Sequence, residues 1–224
     1  RPVSFPTFPT LRPVSAFASP MRPRPRPRPR RSRRDGGFKA RWQLGSALFM
    51  AEEIAAQLPR GARLLDVGCG DGFIAHHLSG LLGRPAVGVD VREATIAPID
   101  YASFDGVHLP HPDASFDALV SAYVLHHASD APALLADMAR VLRPGGSLVV
   151  YEDVPGTAFD RLLCWRHDHA WRARSGRCSF HRPRRWRAIF EGAGFDVRLS
   201  MPLSRWRDFT HPVARQFFVL TRGV

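Results

Sequence analysis

The stretch Ala62-Arg63-Leu64-Leu65-Asp66-Val67-Gly68-Cys69-Gly70-Asp71-Gly72 decides the fold. Leu64, Leu65 and Val67 form the short apolar run that a parallel strand buried on both faces requires. Glycines follow at alternate positions, and Phe73 to Leu82 has the composition of a helix. Strand, glycine turn and helix together bring backbone N–H groups and a helix N-terminus to a polar ligand. A side chain at Gly68, Gly70 or Gly72 would hold that ligand off. The dinucleotide fingerprint Gly-x-Gly-x-x-Gly would need its third glycine at position 73, where Phe73 stands. The loop alone leaves the ligand open, because any strand-to-helix glycine turn shares part of this pattern.

The chain of 224 residues suits one α/β domain with a sizeable core. Its formal charge of +12 resembles a nucleic-acid signature until the charges are located. Residues 1–34 hold ten arginines and no acid, which leaves +2 for residues 35–224. Arg and Pro alternate from Arg22 to Pro29, so residues 1–34 are expected to be a disordered extension. Such an arm could bind phosphates, act as a transit peptide, or be a dispensable or non-native extension. The start at Arg1, the internal Met21 and the single lysine, Lys39, favour the last. No apolar run approaches the roughly 18 residues that span a membrane. Cys69, Cys164 and Cys178 cannot all pair, so a reduced, cytoplasmic compartment is expected.

Apolar residues at helical spacing from Leu44 to Leu58 predict a flanking or lid helix that Pro59 and Gly61 stop. Ala86 to Val91 predicts a second buried strand ending in an acid. That acid, Asp90, stands 20 residues after Gly70. In doubly wound folds an acid at this place accepts both ribose hydroxyls. A nucleoside-bearing ligand is therefore indicated. Only thirteen residues separate Asp90 from Phe104, Pro98 among them, so a helical turn over Arg92–Ala97 and an irregular link are expected. Ser115 to Ser121 predicts the third core strand.

Five motifs then occur in order: Asp66-x-Gly68-x-Gly70-x-Gly72, Asp105-Gly106-x-x-Leu109-Pro110, Asp113-x-Ser115-Phe116-Asp117, Val124-Leu125-His126-His127, and Arg140-Val141-Leu142-Arg143-Pro144-Gly145-Gly146. Their order and spacing resemble the class I S-adenosylmethionine (SAM) methyltransferases, the quinone-biosynthesis (UbiE-like) type in particular, over about residues 44–152. The resemblance implies an α/β, Rossmann-like, doubly wound sheet of seven mostly parallel strands with an antiparallel last strand. It implies a methyltransferase domain over 35–224, with the cofactor half at about 44–152 and an acceptor side at about 153–224. Its cofactor is SAM. The loop residues Asp66, Gly68, Cys69, Gly70 and Gly72 would hold the methionine part. Asp90 and Val91 would take the ribose side, Asp105 and Gly106 the adenine, and Ser121 would close the set.

The methyl carbon of SAM is already activated, so the protein must chiefly align the acceptor and exclude water. A base is needed only where the acceptor loses a proton. His126 and His127, past the fourth strand, are the candidates, with His167 and His169 weaker ones; all could instead line the pocket. Cys164-x-x-His167 and Cys178-x-x-His181 have zinc-ligand spacing, but their helical, arginine-rich setting argues against zinc, and no metal is expected. Ser121-Ala122-Tyr123-Val124 stands where methyltransferases of exocyclic base nitrogens carry Asn/Asp-Pro-Pro-Tyr/Phe. This moves weight from nucleic acid to a small-molecule acceptor. Nine arginines against Asp168 between Arg161 and Arg187 could favour an acidic or phosphorylated one, though a solvated helix face accounts for them more simply. The alternatives are an RNA or protein methyltransferase docking through the basic arm, and a SAM-fold protein that binds without catalysis. The acceptor, the methylated atom and the oligomeric state are not legible.

Overall fold

The computed structural model describes residues 37–207 and 212–223. The arginine–proline arm lies outside the described residues.

A long helix, α1 (Gly37–Ala55), leads through a further turn into β1 (Leu64–Val67) and α2 (Phe73–Leu82). Then come β2 (Val87–Asp90), β3 (Asp100–Ser103), β4 (Phe116–Ala122), α3 (Ala131–Val141) and β5 (Leu142–Asp153). The last third holds α4 (Ala158–Ser175), α5 (Pro183–Gly192), β6 (Phe195–Leu203) and β7 (Arg215–Arg222). One seven-stranded sheet runs β3-β2-β1-β4-β5-β7-β6. Strands β1 to β5 are parallel, and β7 is antiparallel to both its neighbours. This is the doubly wound architecture expected from the sequence.

Alternation along each strand divides the core between the two faces. Leu64, Val120, Val149 and Tyr151 pack with Ala51 and Ile54 of α1 and Ala75 and Leu78 of α2. Leu65, Leu119, Leu148 and Val150 pack on the other face with Leu134 and Met138 of α3 and Trp186 and Phe190 of α5. Strand order reverses between β1 and β4: β1, β2 and β3 step toward one edge of the sheet, and β4 and β5 step toward the other. The crevice at their carboxyl ends is where such sheets bind ligands.

Two expectations are corrected. A strand, β3, occupies Asp100–Ser103, so Phe116–Ala122 is the fourth strand rather than the third. Four half-exposed residues at a sheet edge carry no apolar pattern to read. Residues 92–97 form bends rather than a helical turn. The N–H groups of Ile96 and Ala97 donate to the Asp71 carbonyl instead of to a turn of their own. The Arg92 guanidinium reaches Asp71 at 2.8 Å, and the Tyr101 hydroxyl donates to the Arg92 carbonyl. These bonds bind the link to the glycine loop in place of a crossover helix.

Candidate active site

Asp66, in β1, is 1% exposed. Burial pushes its carboxyl up to about 7, against a hydrogen bond from the Ala75 backbone N–H and with some help from the charge of Asp90. Its Oδ2 has no hydrogen-bond partner. A buried carboxylate oxygen left without a donor costs free energy that an incoming donor would recover.

The loop after Asp66 is stitched to β2. Gly68 and Cys69 donate their N–H groups to the Val89 carbonyl, and Gly72 donates to Cys69. Gly70 donates to Asp90 Oδ2 at 2.8 Å. The N–H groups of Gly68, Cys69, Gly70 and Gly72 are thus engaged within the protein. What the glycines supply is left-handed backbone and room. A Cβ on Gly68 would sit 2.3 Å from Val124 Cγ2, and one on Gly72 would meet Thr95 Oγ1 at 2.6 Å. Nothing lies within 4 Å of a Cβ on Gly70, where the open space is. Burial raises the Cys69 thiol well above its usual range, so it stays protonated.

Asp90 ends β2 and is 9% exposed; its Oδ1 accepts from the Arg92 N–H at 3.1 Å. Both oxygens are oriented by backbone donors, and each keeps acceptor capacity. Val91, next in the chain, is exposed, and its Cγ1 lies 3.4 Å from where a Gly106 Cβ would stand. Asp105 stands two residues past the end of β3. It is exposed and accepts from the Val107 and His108 N–H groups and from His108 Nδ1. Those bonds hold its carboxyl well below the usual carboxylate range and lift His108. Asp66, Asp90 and Asp105 therefore mark three successive strands.

On the other side of the switch point, Ser121 is fully buried and its Oγ has no hydrogen-bond partner. Tyr123 adopts φ 60°, a left-handed backbone unusual for a bulky residue and typical of strain held at functional sites. The turn turns the chain so that Val124 covers Gly68 and a short 3-10 segment, Leu125–His127, follows. His126 is buried, and its Nδ1 lies 2.6 Å from Glu152 Oε2. Burial opposes its protonation, yet the charge and hydrogen bond of Glu152 raise its affinity for a proton. Glu152 Oε1 accepts the Leu125 N–H at 2.8 Å. His127 is pushed down to about 3 by burial and by its neighbours His126 and His167, so it is neutral at pH 7.

The structure joins His167 of α4 to this pair: its Nε2 lies 3.1 Å from that of His127, and Cys178 Sγ is 3.3 Å from His127 Nδ1. His169 instead stacks on Trp165. Cys164 packs with Leu163 and Val213, and His181 lies edge-on to Trp186, so the two Cys-x-x-His pairs do not assemble as one set. Sequence reasoning missed Glu152, Asp153 and Arg215. Asp153 and Arg215 form an ion pair at 3.3 Å, each 4% exposed, and the Arg215 guanidinium lies over the Tyr123 ring at 5.4 Å. The acids Glu152 and Asp153 end an apolar strand as Asp90 does, a signal that could have found them. A surface hollow lined by His76, Arg84, Pro98 and Asp100 opens at the amino-terminal edges of β2 and β3, away from this crevice.

Residues 46–200 match the Methyltransf_23 model, described as a methyltransferase domain. The chain belongs to the methyltransferase domain family, and its strand order is that of the Rossmann-like methyltransferase fold. It is 34% identical over 116 residues to 27-O-demethylrifamycin SV methyltransferase of Amycolatopsis mediterranei, covering 45% of this chain and 43% of that protein. It is 31% identical over 113 residues to a ubiquinone biosynthesis O-methyltransferase of Rhizobium rhizogenes, covering 46% and 45%. The chain thus spans less than half the length of these relatives. Among solved structures, the [4+2]-cyclase SpnF superposes with TM-score 0.65 at 21% identity over 79% of this chain and 81% of that one. A SAM-dependent methyltransferase from Aquifex aeolicus superposes with TM-score 0.57 at 19% identity, over 78% and 90%. Among the described residues no helix is long and apolar enough to cross a membrane.

Proposed function

We propose that this domain transfers the methyl group of SAM to a hydroxyl of a small-molecule acceptor of quinone or natural-product type. The observation that carries the reading is the pair Gly70–Asp90: a carboxylate fixed by the loop N–H at the rim of an open, side-chain-free space. The residues present fit the cofactor. Asp66 Oδ2 and Ser121 Oγ are buried polar atoms without a partner, Asp90 can take two ribose hydroxyls, and Val91 beside the bare backbone of Gly106 offers an apolar surface to a flat base near Asp105. When bound, SAM supplies an electrophilic methyl carbon and a neutral thioether as leaving group.

The protein's own part is alignment, exclusion of water and handling of the acceptor's proton. His126 and His127 meet the acceptor beyond β4. Glu152 orients His126, and burial keeps His127 neutral, so an imidazole nitrogen with a lone pair faces the departing proton. Two relatives are named for rifamycin and ubiquinone chemistry, the second as an O-methyltransferase, which supports an oxygen acceptor. The acceptor side after β5 includes the arginine-rich α4, whose charge favours an acidic acceptor over a neutral one. Nucleic acid is a poor fit, because the folded part carries little net charge.

The test is incubation of the purified chain with methyl-labelled SAM and a fractionated small-molecule extract. Label moving into an organic-soluble product supports the reading. SAM binding with no label transferred would favour a domain that binds without methylating, and label that moves only into RNA or protein of a parallel whole-extract incubation, and is lost on deleting residues 1–34, would favour docking through the basic arm.

A further inference from the structure

The imidazoles beyond β4 are arranged more closely than proton transfer requires. One nitrogen from each of His126, His127 and His167 lies within 4.8 Å of the other two. The Nε2 atoms of His127 and His167 are 3.1 Å apart. Nitrogens bound to zinc at about 2.0–2.1 Å with tetrahedral angles stand roughly 3.3 Å from each other, so this separation is close to one edge of a coordination tetrahedron.

His126 gives the second, independent observation. Its Nδ1 faces Glu152 Oε2 at 2.6 Å, and the other Glu152 oxygen is held by the Leu125 N–H. An Nδ1–H that donates to a carboxylate leaves the lone pair on Nε2. That Nε2 is buried and has no hydrogen-bond partner. A carboxylate behind an imidazole whose far nitrogen awaits a partner is the outer-shell arrangement of metal-binding histidines. Cys178 Sγ, 3.3 Å from His127 Nδ1, stands behind the second imidazole in the same way.

We propose that His126, His127 and His167 bind one divalent late first-row transition-metal ion, zinc by preference, and leave its fourth position open. Neutral imidazoles suit zinc, cobalt, nickel or copper, whereas magnesium and calcium take oxygen ligands. Three protein ligands with one open position is the pattern of catalytic rather than structural sites. The rings of Phe180, stacked on His126 at 4.7 Å, and Trp171, 5.2 Å from His127, wall the group. Resting on the methyl-transfer reading, an acceptor hydroxyl at the open position would lose its proton to solvent more readily, and the metal would take the place of the imidazole base whose lone pairs it occupies. The competing explanation is an aromatic stack of histidines held by Phe180 and Trp171 alone, which binds no metal.

The experiment strips the full chain with a chelator, then titrates it with Co2+ followed by visible absorption, and with Zn2+ followed by elemental analysis. One equivalent per chain is expected, with the absorption of four- or five-coordinate cobalt. His167→Ala should weaken binding at least tenfold, and His181→Ala, outside the group, should leave it unchanged. Glu152→Gln, which keeps the shape, should weaken binding about 10- to 100-fold without changing stoichiometry; circular dichroism checks that each variant is folded. Failure to bind one equivalent, or binding indifferent to both His167→Ala and Glu152→Gln, would overturn the site. Calorimetry with SAM on the same samples separates the two proposals. SAM bound without metal removes only the metal site, whereas metal bound without SAM removes only the methyl-transfer reading.

Discussion

The backbone N–H of Gly70 donates to Asp90 Oδ2 at 2.8 Å across twenty positions of chain. One bond thus sets both the shape of the glycine loop and the direction of the carboxylate proposed to hold the ribose. Removing the acid should act on both. Asp90→Ala is expected to weaken SAM by ~1–3 kcal/mol through lost charge-assisted bonds. It should also lower thermal stability slightly, because the Gly70 and Arg92 N–H groups lose their acceptor. Calorimetry and a melting curve on the same sample check both effects.

Gly68 and Gly70 share a left-handed backbone but differ in surroundings. At Gly68, with φ 74°, a methyl group would overlap Val124 Cγ2 at 2.3 Å. Gly68→Ala should therefore destabilise the fold by at least about 2 kcal/mol. At Gly70, with φ 55°, the space is open, and only the backbone strain of ~1–2 kcal/mol applies. Gly70→Ala should melt closer to wild type yet lose tenfold or more in SAM affinity, because its methyl group enters the cofactor's space. Parallel melting and calorimetry of the two variants distinguish a structural glycine from a ligand-facing one.

Asp66 makes stability depend on pH in an unusual direction. Its carboxyl is pushed up to about 7 in the fold but titrates near 4 when unfolded. Between those values the native state holds the proton and the unfolded state does not, so stability falls as pH rises from about 4 to 7. At ~1.4 kcal/mol per pH unit the loss amounts to a few kcal/mol. Asp66→Asn keeps an acceptor for the Ala75 N–H and removes the charge. The variant should show a higher melting temperature than wild type at pH 8, no advantage at pH 4, and weaker SAM binding at both.

Much of this could be read from the chain because its signals are local. An apolar run, alternate glycines and an acid 20 residues on are one supersecondary unit, and Asp66, Gly70 and Asp90 fall where the sequence puts them. Strand β3 could not be read, because Asp100–Ser103 is short and half exposed and takes its pairing from Val87–Asp90. Tyr123 gave no hint of its left-handed backbone, since no glycine marks it. His167 lies 40 residues from His127 and meets it only through the packing of α4. Proximity of that kind is a property of the tertiary fold, and no spacing rule reports it.

Glu53 links α1 to Tyr151 of β5 and to Arg207, which follows β6. It accepts the Tyr151 hydroxyl at 3.0 Å and both terminal nitrogens of Arg207 at 2.6 Å. Burial opposes its charge, but these partners hold its carboxyl below the usual range. Glu53→Gln should cost about 1–2 kcal/mol at pH 7, since Arg207 loses its bidentate partner. The difference from wild type should shrink as pH falls through the lowered Glu53 value. Denaturant melts at pH 7 and pH 3 check this.

The central claim is that the nucleoside of SAM lies over the glycine loop against Asp90, with its base beside Asp105. A crystal structure with S-adenosylhomocysteine tests this most directly. The account predicts both ribose hydroxyls within hydrogen-bond distance of Asp90 and the adenine lying against Val91 and Gly106, beside Asp105. Density for the nucleoside elsewhere on the protein, with Asp90 bonded only to Gly70 and Arg92, would contradict it.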